Sequence, residues 1–225
     1  MEKIISERKQ SEFFFIGLGA DYLVFMGLIV VFNVHLMGIG SLDALIMIPG
    51  ALKAGEWWRL LTHPFAHVSW YHLVLDASAF FMLYRQIHLK ITERIIHVGL
   101  CGIFSLGGVW LLSPDFRLLG LCGLSGIAHG LMAVVSLEMI RFGRDRLLGW
   151  LCLAGVCLKS IIETVSGAAL FSFVYADMCG TPLVACHLGG VVGGIVSFGL
   201  YFYNHRRSSI LKNREDRSLI RGYFS

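Results

Sequence analysis

Six apolar runs constrain this 225-residue chain more than any other feature: Tyr22–Met37, Ser69–Gln86, Ile95–Leu112, Ser125–Ile140, Leu147–Phe171 and Pro182–Tyr203. Each has the length of a helix that crosses a hydrocarbon core of ~30 Å, tilted or straight. With 56% hydrophobic and 15% charged residues and a mean hydropathy of +0.71, the chain lacks the polar surface a soluble domain of this length needs. The expected fold is an all-α polytopic membrane protein, a bundle of six transmembrane helices in one domain. An N-terminal interfacial segment covers 1–21, the core covers 22–203 with one long loop at 38–68, and a basic tail covers 204–225.

Orientation follows from Lys and Arg. Of the 19 such residues, 15 fall in the N-terminal segment, the second-to-third and fourth-to-fifth connections, and the tail. Only Lys53, Arg59 and Arg117 fall on the other side, and Lys159 lies within a run. Basic residues collect on the cytoplasmic side, so both termini are expected there and the 38–68 loop outside. The net charge of +4 is thereby accounted for by topology, and no nucleic-acid partner is implied. The N-terminal MEKIISERKQSEFF has charges but no small-residue site after a short apolar core, so no cleavable signal peptide is expected. Trp57, Trp58 and Trp70 suit the outer interface, where an indole is wet on one side and apolar on the other. The tail is expected to lie on anionic lipid or to be loosely ordered. The six cysteines form no CxxC pair and read mainly as small apolar residues; Cys122 and Cys179 both fall outside, where one disulfide is compatible.

Ionisable groups inside spans are expensive and point to function. Here they are His72, Asp76, His129, Glu138, Lys159, Glu163 and His187. At ~1.5 Å per residue, Ser125 sits ~24 Å above Arg141 and His187 ~27 Å above His205, nearly level and just under the outer surface. His72 falls ~20–27 Å above the basic end of its own run. Gly123 and Gly126 flank Ser125, and Gly190 and Gly194 follow His187 in small-xxx-small spacing, which lets two membrane helices approach closely. A Ser–His contact at ~2.6–3.2 Å activates the hydroxyl. Ser125 also opens a helix, whose unpaired N–H groups and positive dipole end suit an oxyanion.

GLSG around Ser125, CHLGGVVGG around His187, HPFAHVSWYHLVLD around His67 and His72, and WWRLL in the loop together resemble the rhomboid family of intramembrane serine proteases. The resemblance runs from Trp57 to Gly194. It implies a hydrolase without metal or organic cofactor, with Ser125 as nucleophile and His187 as general base. His72, Asp76 and Gly123 would support the oxyanion, with Asp76 standing where the family usually has Asn. An Asp there serves either as a neutral donor or as an ionised partner that orients His72. His129 takes the place of an aromatic that often stacks on the base, and an imidazole there is expected to stack, to hydrogen-bond or to compete as the base. GLSGIAHGL, the Lys159–Glu163 pair and the AC-His-Leu-Gly-Gly ending look like the rhombosortase subgroup. That likeness implies single-span substrates with a Gly-rich C-terminal region, cut near the periplasmic face of a bacterial inner membrane. His67, His129, Lys159 and Glu163 are expected at the substrate entrance or in support of the site, with mutual neutralisation of Lys159 and Glu163 as the plainer role. His63 and His67 read as structural hydrogen-bonding residues at the loop edge, and His35, His88, His97 and His205 as interface or surface residues.

Two other classes fit parts of this pattern. A catalytically inactive relative would bind membrane clients without cutting them. A metal or proton transporter would use His63, His67 and His72 as ligands, although no pair of broken-helix repeats accompanies them.

Overall fold

The computed structural model describes residues 19–143, 145–170 and 183–223, with side chains described as far as His205. Most of the expected 1–21 segment, together with Arg144, Phe171, Cys179 and Pro182, lies outside the described residues. Among the described residues, six main helices carry the fold: α1 (Ala20–Val31), α2 (Trp70–Gln86), α3 (Ile91–Leu112), α4 (Ser125–Phe142), α5 (Arg146–Ser166) and α6 (Ala185–Tyr223). Of these, α3, α4, α5 and the Ala185–His205 part of α6 are each long and apolar enough to cross a membrane. Leu111, Leu147, Leu151, Leu158 and Val165 point outward from the bundle, an apolar exterior suited to lipid. The chain is an all-helical, multi-pass membrane protein.

Two of the expected spans differ in form. The first run was expected as one helix over Tyr22–Met37, but α1 stops at Val31 after 12 residues, ~18 Å of rise. The cause is Asn33. Its buried amide donates to the Ile29 and Phe65 carbonyls at 2.7 and 2.6 Å, and its Oδ1 accepts from the His67 N–H at 3.0 Å. A polar side chain so placed bends the chain toward the loop, and Val34–Met37 continues as a 3₁₀ turn closed by Gly38. The sixth run was expected to end at Tyr203, followed by a tail on the lipid surface or loosely ordered, yet the helix continues to Tyr223. From Asn204 to Arg221 the sequence has five Arg and neither Pro nor Gly, so no strong helix breaker interrupts it.

The bundle is built around α6. One of its faces meets α3, where Gly189 lies against the Phe104 carbonyl and Gly108, and Gly193 lies against Leu100 and Cys101. The other meets α4, where Gly190 and Gly194 lie against the Gly126 and Gly130 carbonyls. At the end of the bundle away from Ser125, Asp21 of α1 accepts from Tyr84 of α2 at 2.5 Å and pairs with Arg94 of α3 at 2.7 Å. This buried cluster fastens the first three helices, with Phe25, Phe80 and Tyr84 packed edge-on and stacked above it. His97, expected at an interface or surface, is buried and shares a 2.8 Å hydrogen bond with Ser197 of α6.

The 38–68 loop is ordered by Arg59. Its buried guanidinium holds Glu56 and the Asp43 and Ile46 carbonyls, and Trp58 donates to the Ala44 carbonyl at 3.0 Å. Trp57, Trp58 and Trp70 are exposed, as expected of interface anchors. Met47 and Leu121 exchange two 2.9 Å backbone hydrogen bonds, and Gly123 N–H donates to the His63 carbonyl at 3.0 Å. The loop therefore grips the segment leading into Ser125.

Candidate active site

Residues 120–124 form a tight turn that delivers Ser125 to the first position of α4. Gly123 adopts a left-handed φ of +98°, which disfavours any residue with a Cβ. A Cβ there would also lie 2.8 Å from both Asp76 Oδ2 and His72 Nε2. Gly126 is equally constrained, because a Cβ would collide with Ser105 and the Cys186 carbonyl. Both glycines of GLSG thus have a steric reason. The first-turn N–H groups of α4 have no intrahelical partner, and the first α4 bond runs from Ala128 to the Leu124 carbonyl.

Three helices meet behind the hydroxyl. His187 Nε2 of α6 lies 3.2 Å from Ser125 Oγ. Its other ring nitrogen, Nδ1, lies 2.7 Å from Glu163 Oε2 of α5. Glu163 Oε1 takes the Lys159 ammonium at 2.7 Å and the Leu170 N–H at 2.9 Å. Lys159 Nζ also reaches His129 Nε2 at 2.9 Å, and His129 Nδ1 donates to the Ser125 carbonyl at 2.7 Å. The two imidazoles stack 4.0 Å apart at 10°. Lys159 and Glu163 do form the i,i+4 pair. Glu163 is fully buried, in contact with His187. Cys186 Sγ lies 3.7 Å from Ser125 Oγ.

A second cluster flanks the turn. Asp76 Oδ2 lies 3.2 Å from His72 Nε2 and 3.5 Å from His67 Nε2. His67 is buried, and its Nδ1 faces two acceptors, Asn33 Oδ1 at 3.2 Å and the Phe65 carbonyl at 3.1 Å. That nitrogen must carry the proton. His67 Nε2 and Asp76 Oδ2 approach without a hydrogen bond between them. His35 Nε2 donates to the His67 carbonyl at 2.8 Å. In the loop, His63 donates from Nδ1 to the Arg59 carbonyl. Burial pushes its imidazole down to about 4, so it stays neutral at physiological pH and acts as a spacer. Burial likewise pushes the Cys122 thiol up to about 12; this cysteine is a free thiol.

His129, Glu163 and His187 each offer a donor atom within 4.8 Å of the others. The Lys159 ammonium already sits within hydrogen-bonding distance of two of the three, so a lysine fills the cationic position. Sequence reasoning missed Asn33, whose signal is a lone amide interrupting an apolar run. It also left the second Glu163 oxygen unassigned.

Comparison with protein families matches residues 54–204 to the Rhomboid domain. Over 146 residues the chain is 28% identical to "Putative rhomboid protease YdcA" of Bacillus subtilis (strain 168), covering 63% of this chain and 66% of that protein. It is 26% identical over 172 residues to "Uncharacterized protein Rv1337" of Mycobacterium tuberculosis (strain ATCC 25618 / H37Rv), covering 74% of this chain and 68% of that one. The chain spans about two thirds of the length of these curated relatives. The domain match takes in more than half of the chain and includes both Ser125 and His187, and by that match the chain belongs to the rhomboid family.

Proposed function

We propose that this chain is an intramembrane serine endopeptidase that cuts single-span membrane proteins near the outer face of a bacterial inner membrane. The observation that carries the reading is the 3.2 Å approach of His187 Nε2 to Ser125 Oγ across the α4–α6 seam. Ser125 Oγ attacks the scissile carbonyl while its proton passes to His187 Nε2. The carbonyl electron pair moves to oxygen, where the Ser125 N–H and His72 stabilise it. The intermediate collapses as the C–N bond breaks and the imidazolium gives its proton to the leaving nitrogen. Water, deprotonated by the same imidazole, then resolves the acyl-enzyme.

The hydrogen bonds favour His187 over His129 as the base. His129 donates from Nδ1 to the Ser125 carbonyl, and its Nε2 lone pair accepts from Lys159. No lone pair is left to take the serine proton. Six spans with both termini cytoplasmic remain the topology favoured by the 15-to-3 bias of basic residues. The short α1 and the polar-lined α2 complete those spans. A Gly-rich substrate segment suits the site, because glycine unwinds from a helix at little conformational cost.

An activity-based fluorophosphonate probe tests the reading. The full chain in detergent is expected to be labelled, and labelling is expected to vanish in Ser125→Ala. Absence of Ser125-dependent labelling, with metal retained, would favour a histidine-lined transporter using His63, His67 and His72.

Asp76 gives a separate expectation. An Asn at this position presents two N–H donors to the two imidazoles that converge on Asp76. Asp76→Asn is therefore expected to keep turnover within about tenfold of wild type. Asp76→Ala leaves His72 unheld and should lose about 100- to 1000-fold, the scale of one oxyanion donor. Turnover of a tethered Gly-rich substrate measures both. An Asn variant as poor as the Ala variant would mean that a negative charge is required there.

A further inference from the structure

We propose that Glu163 completes a Ser125–His187–Glu163 triad, with Lys159 as the counter-ion of its carboxylate and as the lock that keeps His129 out of the proton transfer. The inference rests on the protease reading and goes beyond its serine–histidine pair.

The geometry assigns every ring proton. Glu163 Oε2 is an acceptor 2.7 Å from His187 Nδ1, so that nitrogen carries the hydrogen. The neutral imidazole then has one lone pair, on Nε2, and it faces the Ser125 hydroxyl. This is the tautomer that general-base catalysis requires, and an orienting carboxylate fixes it in other serine hydrolases. Glu163 is itself held. Its Oε1 is engaged by Lys159 Nζ and by the Leu170 N–H, where the chain turns back after the left-handed Gly167 that ends α5. With Oε1 fixed at two points, Oε2 can point only at His187.

Fold stability alone does not account for this arrangement. A buried ion pair roughly breaks even against apolar residues of the same size, and charged groups within a membrane carry a further penalty. A Lys–Glu pair needed only for neutrality would be satisfied through one carboxylate oxygen. The second oxygen instead reaches across 24 residues to the imidazole on another helix. When His187 takes the serine proton, the new positive charge appears beside a carboxylate already in place. No proton moves to Glu163, which acts through His187 and is a positioning residue. Among the described residues, the titratable and charged groups facing His187 are Glu163 and Lys159 from α5, His129 from α4, and Cys186 on its own helix.

The test compares wild type, Glu163→Gln and Glu163→Asp in the full chain, normalised to folded protein by size exclusion and thermal melting. Wild type must first show Ser125-dependent fluorophosphonate labelling; if it does not, the protease reading falls and the triad with it. Given that labelling, Glu163→Gln is expected to slow labelling and kcat/KM by about 10²- to 10⁴-fold, because an amide can donate to Nδ1 and favour the wrong tautomer. The acid limb of its pH profile should also move to lower pH, since the imidazolium has lost its carboxylate. Glu163→Asp keeps the carboxylate one methylene short. It is expected to recover at least tenfold over the Gln variant and to keep the wild-type acid limb; if the Gln variant fails to fold, an Asp variant whose acid limb moves to lower pH overturns the triad. A Gln variant within threefold of wild type, an acid limb left unmoved in the Gln variant, or an Asp variant no better than Gln would overturn the triad while leaving the protease reading intact.

Discussion

Ser125→Ala and His187→Ala are each expected to lower turnover of a tethered substrate by about 10⁴-fold or more, and the double variant should be no worse than either. Groups that act as one unit lose their joint contribution when either is removed. The structural basis is the single Oγ–Nε2 contact at 3.2 Å: without the hydroxyl nothing attacks, and without the imidazole the hydroxyl keeps its proton. Folding should survive both changes. Ser125 is only half buried, and the α4–α6 seam is made by glycines rather than by these two side chains. His129→Ala removes a ring that stacks on the base and ties Lys159 to the Ser125 carbonyl, so it should lower turnover less than His187→Ala does. Retained activity in His187→Ala with loss in His129→Ala would reassign the base.

What could be read from the chain was whatever is periodic or local. The apolar runs announced helices because length and continuity are physical requirements of a hydrocarbon core. Level depths for Ser125 and His187 came from nothing more than a fixed rise per residue, and the two are in hydrogen-bonding range. The glycine spacing after His187 foretold a close helix pair, and Gly190 and Gly194 are indeed against α4. Asn33 shows the limit. An apolar run with one amide reads as a continuous helix, and only the distant Phe65 carbonyl and His67 N–H reveal why the helix stops. His97 was misjudged for the same reason, since its partner Ser197 is 100 residues away.

Glu163 shows a subtler limit. The four-residue spacing to Lys159 predicted their pairing, and that pairing is present at 2.7 Å. A carboxylate has two oxygens, however, and local spacing accounts for only one. The other became legible only once α5 and α6 were placed side by side. Asp76 is similar. Its departure from Asn was visible in the sequence, but the two imidazoles that converge on it give a reason for an acid there that the motif alone did not supply.

The glycine seam carries the other large effect. A Cβ on Gly190 would fall on the Gly126 carbonyl oxygen, far inside contact distance, and one on Gly194 would fall on the Gly130 carbonyl. These neighbours are backbone atoms of a packed helix and cannot rotate away. Gly190→Ala must therefore push α4 and α6 apart, and overpacking of this kind costs about 1–3 kcal/mol or more. The same displacement lengthens the Ser125–His187 contact, and a misplacement of ~1 Å at a reacting centre is enough for about 100-fold in rate. Gly190→Ala is expected to lower the melting temperature and to lose at least that factor in fluorophosphonate labelling. Gly199 lies further along the same helix, where an added Cβ meets nothing within 4 Å. Gly199→Ala should gain up to about 1 kcal/mol from helix propensity and label at the wild-type rate. The pair separates steric closure at the seam from a general dislike of alanine in α6. If both variants matched wild type in melting and labelling, close α4–α6 approach would not be what brings the serine to its base.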